Sequence, residues 1–299
     1  MKPLIFNIYA PDQIMMDKIQ NELEAEKGEV NAHLFPDGEL LFRFESSLKN
    51  REVILVATLD HPNPKLLDLI FFARTAKDLG AKKLTLVAPY LAYMRQDKQF
   101  QIGEGVTSRY FASVLSSCFD ALITVDPHLH RYKFLAEIYT IPTQVVSASA
   151  VIAEWISKNI KNAFLIGPDA ESVQWVSDIA ERCHSPFIIL EKTRYSDHDV
   201  KMTAPKILAT DEQTPVLLDD IVSSGWTLTE AAKTIQPHFK NKILCVAVHA
   251  VFSDAVYRDM CAHYKAAVGF ELNLVTTNTV QHVTNKIDVS QFITDVLIN

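Results

Sequence analysis

The residues best able to do chemistry follow short apolar runs. One such run, residues 216–221, ends near Asp219 and Asp220 and continues into Val-Ser-Ser-Gly-Trp-Thr. The backbone N–H groups of such a turn and the start of a following helix can surround a phosphate, while carboxylates can accept hydrogen bonds from sugar hydroxyls. An ordinary hydroxyl cap on a helix is the alternative, and the paired carboxylates favour the sugar-phosphate site. Its candidate residues are Asp219, Asp220, Ser223, Ser224, Gly225 and Thr227.

A second polar group follows the apolar run at 121–125. Asp126, His128 and His130 lie close together there. Neutral imidazoles can ligate a divalent ion, and a neighbouring carboxylate can orient one of them. Two histidines at this spacing also occur by chance, so a structural role stays open.

Cationic side chains follow a third run. Residues 89–98 read PYLAYMRQDK, in which Arg95 can bind phosphate oxygens in a bidentate manner and Lys98 adds a point charge. A solvated surface loop is the alternative.

A fourth cluster, EKTR at 191–194, follows the apolar run at 186–190. The polar stretch YSDHD at 195–199 predicts a mobile loop, on which Lys192 and Arg194 could close over developing phosphoryl charge. A plain charged loop is again the alternative.

The elements that must position these residues follow from the hydrophobic pattern. Short β-branched apolar runs alternate with longer segments of helical period, which predicts an α/β fold of parallel strands joined by crossover helices. The stretch FPDGE at 35–39 predicts a hairpin turn. The predicted strands are 53–59, 84–90, 121–126, 163–167, 186–190, 216–221 and 243–250, and the predicted helices are 12–26, 64–79, 106–118, 148–160, 171–182 and 227–236.

A weak internal repeat divides the chain. A strand, loop, helix and second strand beginning at residue 53 correspond to the same series beginning at 216, and the strand starts lie about 30 residues apart in each, the length of one βαβ unit. We therefore predict two similar domains, 1–143 and 144–299, with the boundary in the uncharged stretch 141–150. The first copy has Asp-His-Pro-Asn-Pro after its strand, so only the loop of the second copy is predicted to form a phosphate cradle.

Composition sets limits on the function. The 299 residues are 48% apolar and 22% charged, which is typical of globular domains. With 36 acidic against 29 basic side chains the net charge is −7, so the chain lacks the basic surface that nucleic-acid binding needs.

No apolar run approaches the roughly 20 residues of a membrane span, and no signal peptide is evident, which predicts a cytoplasmic protein. The four widely spaced cysteines predict buried, reduced thiols.

Seven stretches of the chain resemble, in order, the motifs of the ribose-phosphate pyrophosphokinase (phosphoribosyl pyrophosphate synthetase) family. The resemblance covers nearly the whole chain and is closer to the archaeal-type branch in its PHLH and EKTR motifs and in its short loop after Lys98. The stretches are FPDGE (35–39), PYLAYMRQDK (89–98), DPHLH (126–130), GPDA (167–170), EKTR (191–194), LLDDIVSSGWT (217–227) and VTTNT (275–279).

The resemblance implies two tandem phosphoribosyltransferase-type domains, each a mainly parallel sheet flanked by helices. It also implies a reaction in which the C1 hydroxyl of ribose 5-phosphate attacks the β-phosphorus of ATP, giving 5-phosphoribosyl 1-pyrophosphate and AMP. Mg²⁺ is the implied cofactor, ATP and ribose 5-phosphate are the implied partners, and a homo-oligomer of two or more subunits is expected. Neither nucleic acid nor a membrane is an expected partner.

The resemblance further implies a role for each matching residue. The first domain is expected to hold ATP and the second ribose 5-phosphate, and in the family the adenine-binding loop is contributed across a subunit interface. The implied ATP-binding residues are Phe35, Asp37, Glu39, Arg95, Gln96 and Asp97; the ribose-5-phosphate residues are Asp169, Asp219, Asp220, Ser223, Ser224, Gly225 and Thr227; the metal ligands are His128 and Asp169, with His130 as a second candidate; and the catalytic residues are Lys192 and Arg194.

The chain departs from the family in three places. Trp226 stands where the family usually has glycine, and a bulky side chain there can crowd the phosphate turn. Glu171 and Ser172 follow GPDA where small residues are common, and an extra carboxylate would repel a sugar phosphate. The shortened loop after Lys98 weakens the expectation of family-type control by phosphate and ADP.

Two other functions remain open on this reasoning. A non-catalytic paralogue would bind nucleotide and regulate or scaffold a true synthetase, but it would have no need of both Lys192 and Arg194. A simple phosphoribosyltransferase would leave the ATP-type first domain unused. An active diphosphokinase is therefore the main hypothesis.

Overall fold

The computed structural model describes residues 1–194, 200–207 and 210–298, and the chain forms two compact units. The first unit comprises Met1–Ser147 and Val289–Asn299, and the second comprises Ala148–Asp288. Within the described ranges, every helix is too short or too polar to cross a lipid bilayer.

The first unit contains a sheet of six strands and a separate pair of strands. The strands of this unit are β1 (Leu4–Tyr9), β2 (Glu26–Lys27), β3 (Val30–Leu34), β4 (Leu40–Phe44), β5 (Glu52–Ala57), β6 (Lys83–Ala88), β7 (Ala121–Val125) and β8 (Thr143–Val146). Its helices are α1 (Gln13–Glu22), α2 (Pro62–Asp78), α3 (Thr107–Cys118) and α8 (Ser290–Ile298). The order across the sheet is β2-β1-β5-β6-β7-β8, and all neighbours are parallel. Strands β3 and β4 form a separate antiparallel hairpin.

The second unit is built on a sheet of the same size. Its strands are β9 (Ala163–Gly167), β10 (Phe187–Ile189), β11 (Glu191–Arg194), β12 (Val200–Thr203), β13 (Thr214–Val222), β14 (Leu244–Ala250), β15 (Asn273–Thr277) and β16 (Asn285–Ile287), and its helices are α4 (Ser149–Asn159), α5 (Val173–Arg182), α6 (Trp226–Ile235) and α7 (Asp254–Val268). The order is β10-β9-β13-β14-β15-β16, again with parallel neighbours. Strands β11 and β12 form a separate antiparallel ribbon.

The two sheets share one topology. In each unit the chain runs from the first strand to the edge strand, makes a two-stranded antiparallel ribbon, and returns to add the remaining strands in sequence order. The βαβ unit β5-α2-β6 corresponds to β13-α6-β14. The predicted internal repeat and the α/β class, with helices flanking two parallel sheets, are therefore confirmed.

Nearly continuous apolar runs form the strands because crossover helices cover both faces of a parallel sheet. Strand β5 buries five of its six residues, and all seven residues of β14 are buried. In the second unit, Leu217 of β13 and Leu228 of α6 belong to the same buried cluster as Met260 and Tyr264 of α7. This packing holds the loops at the carboxyl ends of the strands in place.

The predicted strands and helices all occur, with ends that differ by a few residues. The sequence prediction omits several elements, including α7 and the short strands β8 and β16. Helix α7 buries only Met260 and Tyr264, so its apolar stripe is faint. A weak stripe and short strands explain why these elements escape a pattern-based prediction.

The limits of the two units differ from the predicted domains 1–143 and 144–299. Strand β8 pairs with β7, so the first sheet continues to Val146. Helix α8, which the sequence places in the second domain, packs on α1, where the Gln291 side chain donates to Glu22 at 2.8 Å. That contact joins the two ends of the first unit, and no local pattern reveals it.

Candidate active site

Two adjacent carboxylates lie near the end of β13. The backbone N–H of Asp220 donates to Oδ1 of Asp219 at 3.0 Å. Burial raises the pKa of the Asp219 carboxyl well above its ordinary value, the Asp220 carboxylate raises it further, and Asp169 makes a smaller contribution. The structure thus brings these three predicted residues within electrostatic reach of one another. Cations or hydrogen-bond donors stabilise carboxylates that lie this close together. Carboxyl groups with shifted pKa values are typical of functional sites.

The turn that follows β13 leads into α6 through Gly225. This glycine has a φ of +70°, and a Cβ added to it would lie 2.5 Å from both Cγ and Sδ of Met260. The position therefore requires glycine on two grounds, backbone conformation and space. The Thr229 hydroxyl donates to the Gly225 carbonyl at 2.9 Å, and the Trp226 N–H faces Oγ of Ser224 at 3.5 Å. These contacts shape a tight turn whose hydroxyls and helix start can bind an anion.

The indole of Trp226 lies against α7. Its ring stacks on that of His263, with centroids 5.3 Å apart and planes inclined by 18°. The residue is 49% exposed. One face of the ring is therefore covered by the imidazole, a placement that the sequence alone did not predict.

The GPDA stretch forms a capped turn after β9. Oδ1 of Asp169 accepts a hydrogen bond from the Glu171 N–H at 3.1 Å, and the Ser172 hydroxyl donates to the Asp169 carbonyl at 2.6 Å. A Cβ on Gly167 would lie 2.3 Å from Oγ of Ser172, so the serine packs closely on the end of the strand. Ser172 thus has a structural place, and the Glu171 residue is exposed. Because β9 and β13 are neighbours, this turn lies beside the carboxylate pair.

Lys192 and Arg194, the predicted catalytic residues, lie in strand β11. In the antiparallel register with β12, Lys192 is opposite Met202 and Arg194 is opposite Val200. The backbone at 191–194 is thus part of a ribbon. The adjoining stretch 195–199, for which the sequence predicts a mobile loop, lies outside the described residues.

The predicted adenine-binding residues lie at the tip of the hairpin β3-β4. The Phe35 N–H donates to the Glu39 carbonyl at 2.8 Å, and the Glu39 N–H donates to Oδ1 of Asp37 at 3.1 Å. The predicted hairpin turn is therefore confirmed. The Phe35 ring is 40% exposed and meets the edge of the His33 ring at 4.5 Å. This tip presents an aromatic face and two carboxylates to its surroundings.

The stretch Arg95-Gln96-Asp97 follows β6. Arg95 and Gln96 are exposed, but Asp97 is buried, and its Oδ1 lies 3.4 Å from Nε of Arg131. The Tyr132 hydroxyl also donates to the Asp97 carbonyl at 3.3 Å. Asp97 therefore braces this loop against the segment that carries the two histidines. Sequence reasoning missed Arg131 and Tyr132, because the pairs join distant stretches of chain and leave no local signal.

The two histidines follow the neighbouring strand β7. The rings of His128 and His130 stack with centroids 3.4 Å apart. Positive φ angles occur in seven of the described non-glycine residues, and three of these, His61, Tyr93 and Asp126, follow strands of this sheet. Non-glycine residues with such angles are strained. The loops after β5, β6 and β7 therefore each contain one strained backbone position.

Comparisons with known proteins agree with this organisation. The family model of the N-terminal domain of ribose phosphate pyrophosphokinase matches residues 5–118, and that of the phosphoribosyl transferase domain matches residues 136–274. The chain is 32% identical to the ribose-phosphate pyrophosphokinase of Saccharolobus solfataricus, covering 88% of this chain and 90% of that one. It is 30% identical to the enzyme of the same name from Methanopyrus kandleri, covering 91% of each.

A solved structure is similar over the whole length. Phosphoribosylpyrophosphate synthetase from Mycobacterium smegmatis superposes with a TM-score of 0.81 and 20% identity, covering 99% of this chain and 98% of that one. At this level of identity the likeness concerns the fold alone. The resemblance predicted from the seven motifs, including its archaeal-type character, is confirmed by the two sequence relatives.

Proposed function

Because this chain belongs to the ribose-phosphate pyrophosphokinase family, we propose that it transfers pyrophosphate from ATP to ribose 5-phosphate. The C1 oxygen of the ribose bonds to the β-phosphorus, the bond from that phosphorus to the α-phosphate oxygen breaks, and the hydroxyl proton is released. The products are 5-phosphoribosyl 1-pyrophosphate and AMP. The observation that carries the proposal is the turn after β13, where two carboxylates precede a tight Ser-Ser-Gly turn at the start of a helix.

The second unit supplies the acceptor site in this proposal. The turn at 223–227 and the start of α6 would hold the 5-phosphate, since helix starts favour anions. Asp219 and Asp220 would accept hydrogen bonds from the ribose hydroxyls, and Asp169 would lie at the same end of the sugar. Burial and the neighbouring Asp220 charge raise the pKa of Asp219, and hydroxyl donors would offset part of both effects. The ribose would then be oriented with its C1 hydroxyl available for attack.

The first unit would hold ATP. Phe35 offers an exposed ring on which adenine can stack, with Asp37 and Glu39 beside it, and Arg95 and Gln96, which are exposed, would bind phosphate oxygens. Asp97 is buried against Arg131, so its part in this proposal is to set the position of the loop. The adenine loop stands on a separate hairpin, which supports a homo-oligomer of two or more subunits in which a second copy completes the site.

The donor groups fit a divalent cation. Three carboxylates lie close together in the second unit, where burial and then repulsion from Asp220 raise the pKa of Asp219, and oxygen ligands of this kind suit Mg²⁺. Asp169 and His128, with His130 as a further candidate, would hold it. When bound, Mg²⁺ neutralises charge on the phosphate oxygens of ATP. Lys192 and Arg194 would add positive charge against the developing charge of the transferred group.

A cytoplasmic location is part of the proposal. All four cysteines lie in the described residues and are free; Cys118 and Cys245 are buried, and Cys183 and Cys261 are partly exposed. Free thiols agree with a reducing compartment.

Release of AMP tests the proposal. The purified chain should form AMP only when ATP, Mg²⁺ and ribose 5-phosphate are all present. The variant Asp219→Asn/Asp220→Asn should lose this activity and still bind ATP, while Phe187→Ala, an exposed ring on the edge strand β10, serves as a control that keeps it. A wild-type chain that binds ATP and forms no AMP would support the non-catalytic paralogue instead.

A further inference from the structure

Trp226 occupies the first position of α6, beside the turn proposed to hold the 5-phosphate. The indole stacks on His263 with centroids 5.3 Å apart. Building on the proposed function, we infer that this Trp226–His263 stack positions the phosphate turn, so that Trp226 contributes to the binding of ribose 5-phosphate instead of obstructing it.

Two consecutive residues of the turn contact one face of α7. Gly225 packs so closely on Met260 that a Cβ would overlap the methionine, and Trp226 lies on His263. Met260 and His263 are three residues apart on α7 and therefore lie on the same side of that helix. The contacts Gly225–Met260 and Trp226–His263 therefore fix the turn at two neighbouring points, the first buried and the second exposed.

Helix α7 is itself a firm support. Tyr264, next to His263, is only 1% exposed and belongs to the core cluster that also contains Leu228 of α6. The start of α6 thus rests on a helix that Met260 and Tyr264 anchor in the core. A turn held in this way presents its hydroxyls and N–H groups to an anion without first having to be ordered, and such preorganisation favours binding.

The orientation of the ring decides between support and obstruction. The two ring planes are inclined by only 18°, so one face of the indole is covered by the imidazole of α7. The stack holds the ring against α7, which opposes the crowding of the turn that the sequence suggested for a bulky residue at 226. The observed stack therefore favours a positioning residue.

Kinetics of three variants tests the inference. Trp226→Ala should raise the KM for ribose 5-phosphate about tenfold and His263→Ala by a few-fold, the range expected for loss of one aromatic pair. The kcat at saturating ribose 5-phosphate and the KM for ATP should stay within about twofold of wild type, because only acceptor binding is changed. Trp226→Phe, which can keep the stack, should restore the wild-type KM. An unchanged or lowered KM for Trp226→Ala would overturn the inference.

Calorimetric titration with ribose 5-phosphate, without ATP, separates this inference from the proposed function. Trp226→Ala should bind ribose 5-phosphate more weakly than wild type, whereas the control Phe187→Ala should bind it equally well. Equal affinity for Trp226→Ala overturns the inference even if AMP is formed. Weakened binding in a protein that forms no AMP sustains the inference and rejects the proposed reaction.

Discussion

The loops that follow the third strand of each sheet occupy the same place in the shared topology but are built differently. In the first unit, Lys65 of α2 reaches back, pairs with Asp60 at 2.5 Å and donates to the Thr58 carbonyl at 3.0 Å. In the second unit, Asp219 and Asp220 lie near the end of the corresponding strand, and a turn that contains Gly225 follows them. One copy contains its own cation–anion pair, whereas the other combines neighbouring carboxylates with the turn proposed to hold the 5-phosphate.

The surroundings of Lys65 complete this internal network. Its ammonium group lies 5.1 Å from the centre of the Tyr9 ring, and the Tyr9 hydroxyl donates to Asp68. Burial, and then the hydrogen bond to Asp68, raises the pKa of Tyr9 to about 12. The polar groups of the first loop are therefore satisfied within the unit. The duplicated fold has specialised, and the nucleotide-binding candidates of the first unit lie on the hairpin and on the loops after β6 and β7 instead.

The largest expected effect distinguishes the hairpin β3-β4 from the ribbon β11-β12, which occupy equivalent places in the two units. Lys192→Ala in β11 should lower kcat about 10³-fold with the ATP affinity nearly unchanged, because in the proposed mechanism its charge acts only as the pyrophosphoryl group is transferred. Phe35→Ala at the tip of β3-β4 should instead raise the KM for ATP about tenfold at similar kcat, because a stacking surface is lost. Steady-state kinetics measures both. Loss of ATP binding in Lys192→Ala with turnover preserved would contradict this division.

The next largest effect concerns the two loops themselves. Gly225→Ala should destabilise the protein by about 2–4 kcal/mol. The alanine would have to adopt the left-handed backbone conformation of Gly225, and its Cβ would overlap Met260. His61, which precedes α2, already has a positive φ with a side chain, so His61→Ala should change stability by less than about 0.5 kcal/mol. Urea denaturation compares them. A stable Gly225→Ala variant with normal ribose 5-phosphate binding would remove the case for a specialised turn.

A smaller effect follows from the raised pKa of Asp219. The folded chain holds a proton on this carboxyl more tightly than the unfolded chain does. Ionisation of Asp219 therefore lowers the free energy of unfolding as the pH rises from about 4, the ordinary pKa of Asp, through the folded pKa. Above the folded pKa this loss of stability is complete. Asp219→Asn should remove this loss, raising the Tm at neutral pH in EDTA while lowering activity. Thermal melts at several pH values test this. A Tm difference between the variant and wild type that stays constant with pH would argue against it.

The smallest effect is expected in the first loop. Lys65→Met leaves Asp60 partly buried without its partner and should cost about 1–2 kcal/mol of stability. The double variant Lys65→Met/Asp60→Asn should recover part of that loss. Neither should change the KM for ribose 5-phosphate or ATP. A change in either KM would show that the first loop binds substrate after all.

The parts of the site that could be predicted from the sequence are those contiguous in the chain. Residues 219–227 carry carboxylates, serines and glycine in one stretch, and the hairpin tip 35–39 is equally local. The brace between Asp97 and Arg131 and the stack of Trp226 on His263 join distant segments, so only the fold reveals them. The same reason explains α8, whose place against α1 depends on tertiary contact. The hydrophobic pattern predicted the repeat because central strands such as β5 and β14 are nearly continuous apolar runs.

Phosphorus NMR of the wild-type chain with ATP, Mg²⁺ and ribose 5-phosphate tests the central claim most directly. The account predicts that ATP signals are replaced by those of AMP and of a diphosphate attached to the sugar, in equal amounts, with the 5-phosphate retained. Unchanged ATP, or formation of ADP with a single phosphate added to the sugar, would contradict it.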